Sequence, residues 1–219
     1  MTDTLSTTAG DLALEQVELT VGDRTWNILH TGAVISREQE LAYLLGQSAS
    51  KRPYGSVVWP SSIALAHELA TRALAGKKIL ELGAGTGLPG IIAAALGAKV
   101  VQTDRQKLVL HVCRMNAERN QVSLEHRLAD WSEWTDSDRY DLILGADILY
   151  AEQLHPQLRQ IFETNLAPCG EVLLADPFRT PSMALLEAME RDGWKIRLDK
   201  WTVGLAPPPR QVAVYTLTR

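Results

Sequence analysis

The chain has 219 residues, 46% of them apolar, with a formal net charge of −4 and a pI near 5.8. That length and apolar content suit one α/β domain with a sizeable core and exclude a disordered chain. The acidic balance speaks against general nucleic-acid or membrane-surface binding, and no apolar stretch is long enough to cross a bilayer.

Residues 1–12 are rich in Thr and Ser and are expected to form a flexible tail. Residues 13–219 are read as one domain, with an extension over 13–56 and a core over 57–219. Leu14–Val21 and Arg24–Thr31 carry strand-like patterns around Gly22-Asp23, which predicts a hairpin. Ser36 to Leu45 reads as a helix capped by Ser36. Tyr54 to Trp59 reads as a loop, and Pro60-Ser61-Ser62 opens a helix that Gly76 ends.

Lys78–Leu82 is then a buried strand. Gly83, Gly85 and Gly87 form a turn, and Pro89 sits in the first turn of the next helix, where its missing N–H costs nothing. Glycine serves here because it accepts positive φ and lets a ligand approach the backbone. The following helix N-terminus favours the anionic end of a ligand. Two registers are open. Gly85-x-Gly87-x-x-Gly90 has the spacing of a dinucleotide fingerprint, but it starts three residues after the strand end. The register from Gly83 places Glu81 just inside the strand.

Lys99–Asp104 is a second strand ending in an acid, roughly 20 residues past the glycines. Asp104 suits hydrogen bonds from ribose hydroxyls, or the N-cap of the helix from Gln106 to Arg119; the two roles are compatible. Leu124–Leu128 is a short third strand leading to Asp130 and Trp131. An acid there can accept an adenine amino group, and an indole can cover the ring face. Trp134 reads as packing, and Trp59 as either a site residue or a core or lid aromatic.

Tyr140–Asp147 is a fourth strand, followed by a helix from about Ala151 to Leu166. Glu171–Asp176 is a fifth strand, Ser182–Arg191 a helix, and Trp194–Val203 and Gln211–Thr218 two terminal strands. Alternating strands and helices predict a parallel sheet, with the closing pair as an antiparallel hairpin. The five histidines and two cysteines, Cys113 and Cys169, show no metal-ligand spacing; His155, close to Tyr150, is the one to test. The cysteine content and the lack of a basic-then-apolar leader lead to the expectation of a cytoplasmic protein.

Five segments taken together resemble one family: Val58-Trp59-Pro60, Glu81 to Gly87, Thr103-Asp104-Arg105, Asp130-Trp131 and Gly145 to Tyr150. The set is similar to the family-16 seven-β-strand protein lysine methyltransferases, over roughly Val57 to the C-terminus. The resemblance implies a Rossmann-like class I methyltransferase fold, with a mostly parallel seven-stranded sheet and an antiparallel C-terminal strand. It implies S-adenosyl-L-methionine (AdoMet) as cofactor and S-adenosyl-L-homocysteine as product. Carried over by position, Trp59, Glu81, Gly83, Ala84, Gly85, Asp104, Asp130, Trp131 and Ala146 would serve cofactor binding. Asp147 and Tyr150 would line the channel for the target side chain. Asp176-Pro177-Phe178-Arg179 is similar to a segment of members that modify the electron-transfer flavoprotein β subunit, while Thr103-Asp104-Arg105 leans to the chaperone-modifying branch.

The expected partner is a protein with an accessible lysine, the expected state a monomer, and neither nucleic acid nor membrane is expected to bind. A small-molecule N-methyltransferase on the same fold is the alternative. A nicotinamide dehydrogenase shares the glycine turn and Asp104, but little chain is left for its substrate domain. A non-catalytic module is a further rival.

Overall fold

The computed structural model describes residues 4–7, 10–32, 54–204 and 208–219. The helix expected over Ser36–Leu45 lies outside the described residues. Seven strands form the central sheet: β5 (Lys78–Leu82), β6 (Lys99–Asp104), β7 (Glu125–Leu128), β8 (Tyr140–Ala146), β9 (Leu166–Asp176), β10 (Lys195–Val203) and β11 (Arg210–Thr218). Their order is β10-β11-β9-β8-β5-β6-β7. β9, β8, β5, β6 and β7 run parallel, and β11 is antiparallel to both β9 and β10. This is the α/β, Rossmann-like arrangement, with an antiparallel strand at its C-terminal end.

Period-two alternation sends the strand side chains to two cores. Ile79, Leu142, Leu144, Leu173 and Val214 meet helices α1 (Pro60–Ala70) and α2 (Leu88–Ala95) on one face. Leu80, Leu82, Ile143, Leu174 and Tyr215 meet α4 (His155–Asn165) and α5 (Thr180–Arg191) on the other. Helix α3 (Lys107–Arg119) lies on the first side, beside α2. Strands covered on both faces read as near-continuous apolar runs, which is why Ile79-Leu80 and Leu142-Ile143-Leu144 were recognisable. Each such leucine or isoleucine contributes about 1.5–3 kcal/mol by leaving water. β5 pairs with β6 on one side and β8 on the other, so the chain reverses its direction of winding there. A crevice opens outside the carboxyl ends at such a switch point.

The elements differ from expectation at several ends. Helix α1 stops at Ala70, where the Thr71 hydroxyl bonds the Glu68 carbonyl at 2.8 Å. A short 3₁₀ turn, Glu152–Leu154, precedes α4, because Pro156 sits at the start of the α-helix proper. β9 begins at Leu166, before an irregularity in its pairing with β8.

The larger difference is at the N-terminus. Part of the stretch read as a flexible tail pairs as a hairpin, β1 (Thr4–Thr7) with β2 (Gly10–Ala13). Leu5, 1% exposed, packs with Leu14, Leu29 and Val112 of α3. One leucine among polar neighbours carries no periodic signal, so only its tertiary partner reveals it. The second hairpin, β3 (Glu15–Val21) and β4 (Arg24–His30), forms as expected around Gly22, whose φ of 65° suits the first position of a two-residue turn.

Asn116 on α3 and Asn120 at its C-cap stitch β4 to the core. Asn120 accepts from Asn27 N (3.1 Å) and donates to Asn27 O (2.9 Å). One turn earlier, Asn116 accepts from Leu29 N (2.7 Å) and donates to Leu29 O (3.0 Å). Asn116 Nδ2 also donates to Thr86 O at 2.8 Å, inside the glycine turn. The fully buried Asn116 thus bonds the extension and the loop at once. Asn116→Ala leaves these buried backbone groups unpaired. It is expected to cost about 1–3 kcal/mol or more in urea unfolding, against a change within error for a surface control such as Glu187→Gln.

Candidate active site

A cleft opens at the switch point, outside the carboxyl ends of the parallel strands. Trp59, Gly83, Gly85, Asp104, Asp130 and Trp131 line it. Ala146, Asp147 and Tyr150 do so at the β8 end. Of the residues singled out from the sequence, Glu81 and Ala84 do not reach the cleft.

The glycine turn is held from every side. Gly83, Gly85 and Gly87 have φ of 63°, 60° and 81°, conformations that disfavour any side chain. Space is short as well. A Cβ on Gly85 would lie 3.0 Å from Gly55 O, and one on Gly83 3.0 Å from Ile148 Cγ2 and 3.4 Å from Trp131 Cζ2. Ala84 N donates to Thr103 O (2.9 Å) and the Cys113 thiol to Gly85 O (3.0 Å). The Ala84 side chain is buried behind the turn against Val109 and Cys113, which explains its absence from the cleft wall.

Glu81 points to the α2 face of the sheet, below the turn. Its Oε2 accepts from Gly90 N (3.1 Å) and Gln102 Nε2 (2.6 Å), and Gln102 Nε2 also donates to Gly87 O (2.7 Å). Burial pushes the Glu81 carboxyl up to about 8, against the pull of the two donors. It braces the turn rather than facing a ligand.

Asp104 is not the N-cap of α3, which is Gln106, but it bonds that residue's N–H and borders the cleft. Its Oδ1 accepts from Gln106 N (2.9 Å) at the start of α3, while Oδ2 faces Gly85 N at 3.5 Å and the carboxylate borders the cleft. Burial raises its pKa, and the donated N–H groups oppose that. Asp130 is exposed and accepts from Ser132 N (2.9 Å) and Ser132 Oγ (2.7 Å), bonds that lower its pKa and keep it charged. Trp131 packs partly against the α4–α5 core, and Trp134 donates to Asn165 Oδ1 at 2.9 Å, a packing role as read.

The other end of the cleft is built on Asp147, whose φ of 56° is unusual outside glycine. Asp147 N donates to Ala175 O of β9 (2.9 Å), and Nε2 of His155 bonds Leu149 O (3.0 Å), fixing the turn that presents Tyr150. His155 is thereby a turn support. The Asp147 carboxylate forms an ion pair with Arg179, which also reaches Asp176 Oδ2 at 3.2 Å. Asp176 in turn accepts from Arg179 N (2.7 Å) and Ser182 Oγ (2.6 Å). Burial raises the Asp147 pKa, and the Arg179 guanidinium draws it down.

Arg179 lines the cleft, and no site role was read for it from the sequence. A signal was present: Asp176 ends strand β9 as Asp147 follows β8, and Arg179 stands three residues on, as Tyr150 does. Arg105, from the Thr103-Asp104-Arg105 segment, also borders the cleft, as do Gly55, Gln106 and Leu154, which no motif announces.

The raised Glu81 pKa has a consequence for stability. The folded protein favours the protonated form, so this contribution is complete below pH 4.5 and is lost as pH rises to about 8. Glu81→Gln keeps an acceptor oxygen for both donors and does not ionise. Its stability relative to wild type is expected to rise by a few kcal/mol across that window, read by urea unfolding at a series of pH values. A constant difference over the window would show that Glu81 is charged throughout.

Comparison with known proteins places this architecture. Residues 39–185 match the family model described as lysine methyltransferase. The chain is 40% identical over 129 residues to protein N-lysine methyltransferase METTL21A of Danio rerio, covering 54% of this chain and 59% of that protein. It is 33% identical over 145 residues to histone-arginine methyltransferase METTL23 of Xenopus laevis, covering 62% of this chain and 61% of that one. The matched part thus spans about three-fifths of the length of these relatives. Among solved structures, the Thermus thermophilus 16S rRNA N2 G1207 methyltransferase superposes with a TM-score of 0.65 at 18% identity, over 94% of this chain and 51% of that one. A ribosomal protein L11 methylase from Lactobacillus delbrueckii superposes at 0.57 with 19% identity, over 74% of this chain and 84% of that one. These two likenesses concern the fold. The family match extends over most of the chain and takes in the cleft, and the chain belongs to the lysine methyltransferase family 16.

Proposed function

We propose that this protein is an AdoMet-dependent methyltransferase whose target is a lysine side chain of another protein. The observation that carries the reading is the pairing, across one cleft, of a glycine turn beside Asp104 with the buried Asp147 beside Tyr150. Family membership and the names of the METTL21A relatives support it.

The lining residues suit the cofactor in their chemistry. Glycine at Gly83 and Gly85 lets the turn take its left-handed backbone at the cleft wall, with Gly55, Ile148 and Trp131 packed against it. Asp104 would accept ribose hydroxyls, Asp130 the adenine amino group, and Trp131 would cover the base; Trp59 and Ala146 complete the wall. When bound, AdoMet supplies a methyl group already activated on a sulfonium. The chain then has to orient the acceptor and exclude water. Alignment of that kind is worth about 7–11 kcal/mol of barrier.

A lysine arriving at the cleft must lose a proton, and its reference pKa is about 10.4. A bare carboxylate would hold that proton in place. Asp147 is not bare: Arg179 offsets its charge. Asp147 and Tyr150 therefore orient the amine while the low-dielectric surroundings favour its neutral form.

The match to METTL23 gives a second reading some footing, transfer to a protein arginine. Incubating the protein and labelled AdoMet with heat-treated lysate distinguishes the readings. Label in a protein band that hydrolyses to methyl-lysine is expected. Methyl-arginine would favour the second reading, and label confined to small molecules would make the enzyme an N-methyltransferase of metabolites. Asp147→Ala is expected to cut transfer about 100-fold while leaving AdoMet affinity nearly unchanged. Asp104→Ala is expected to weaken AdoMet binding about 10–100-fold by calorimetry, and NAD should give no binding heat.

A further inference from the structure

We propose that Arg179 determines specificity: its guanidinium fills the fork between Asp147 and Asp176, so that the cleft accepts a target amine and turns away a target guanidine. The inference rests on the methyltransferase reading above and names what selects its acceptor.

A guanidinium is recognised by parallel N–H···O bonds to carboxylate oxygens arranged as a fork. Two buried acids stand where β8 and β9 end, Asp147 and Asp176. Nη1 of Arg179 is bonded to both. The Asp176 side chain is 0% exposed, and its two oxygens serve Arg179 N, Arg179 Nη1 and Ser182 Oγ. Asp147 Oδ1 also serves Arg179. Asp147 Oδ2 is buried and makes no hydrogen bond among the described residues; Ser61 faces the carboxylate without completing one. Asp147 Oδ2 is enclosed beside Ser61, and the other three oxygens of the two acids are engaged by Arg179 and Ser182, so no pair of carboxylate oxygens is left open to a second guanidinium.

Charge points the same way. Two carboxylates and one guanidinium leave the cluster with a single negative charge, which one ammonium balances on arrival. The occupant is also hard to displace. Arg179 N is bonded to Asp176 at the start of α5, so its guanidinium is delivered by the same turn that carries the acid. An external guanidinium has to compete with a tethered one of the same chemistry, and tethering confers a high effective concentration.

The test uses the full chain with n-butylguanidinium and n-butylamine as probes, read by calorimetry and thermal shift. Wild type is expected to bind n-butylguanidinium at least about tenfold more weakly than Arg179→Ala or Arg179→Gln does. The affinity gained in Arg179→Gln is expected to vanish when Asp147→Asn is added, which locates it at the fork. Should Arg179→Ala unfold, the Gln variant carries the comparison, and the wild-type titration stands by itself. Equal binding of n-butylguanidinium to wild type and to a folded Arg179 variant would overturn the proposal. So would a gain that survives Asp147→Asn. No AdoMet or methyl transfer enters these measurements, so their failure is separate from failure of the enzymatic reading.

Discussion

Three pieces of chain meet at one buried carboxyl group. Glu81 belongs to the central strand, Gly90 to the helix that follows the turn, and Gln102 to the neighbouring strand. Their shared hydrogen bonds fix the turn from beneath, and the turn in turn defines one wall of the cleft. An orphaned backbone N–H in the first turn of a helix has to find an acceptor, and here a strand residue supplies it. The arrangement leaves no room for a side chain at Gly90, where a Cβ would lie 2.6 Å from Gln102 Nε2 and would also meet the Glu81 carboxyl. Sheet, helix and loop are therefore one rigid piece wherever a ligand would touch it.

The opposite wall follows a different principle. Asp147 and Phe178 both adopt positive φ, at 56° and 62°, just past the ends of adjacent strands. Such conformations cost of order 1–3 kcal/mol each and persist only where the surroundings fix them. Here the fixing contacts are Asp147 N to Ala175 O and the Asp147–Arg179–Asp176 cluster. One wall thus takes its left-handed turn with glycine, and the other presents acids by holding non-glycine residues in a sparsely populated region.

Much of this is legible in the sequence. Strands buried on both faces announce themselves as apolar runs, and Lys99–Asp104 has the limits read for it. The glycine turn, Asp104, Trp131 and Asp147 share one edge because strand ends in a parallel sheet must. What could not be read depends on distant partners. Leu5 is buried only because α3 and β4 lie beside it. Asn116 looks like any polar helix residue until its three backbone partners are seen. Arg179 has no role in isolation, because its meaning comes from two acids on different strands. Glu81 was placed correctly at the strand end, but alternation sends its side chain to the α2 face and not toward the crevice.

The Asn116 bonds change how the N-terminal hairpins should be regarded. They read as an appendage to a self-sufficient nucleotide-binding body, yet the amide that satisfies Leu29 also satisfies Thr86 of the glycine turn. A version trimmed to begin at Val57 would strip α3 of its cover, baring Val112 and leaving an amide half-satisfied next to the ligand wall. Modular swapping of this segment between relatives would therefore carry an edit to the helix surface with it, since the extension and the body share their fastenings.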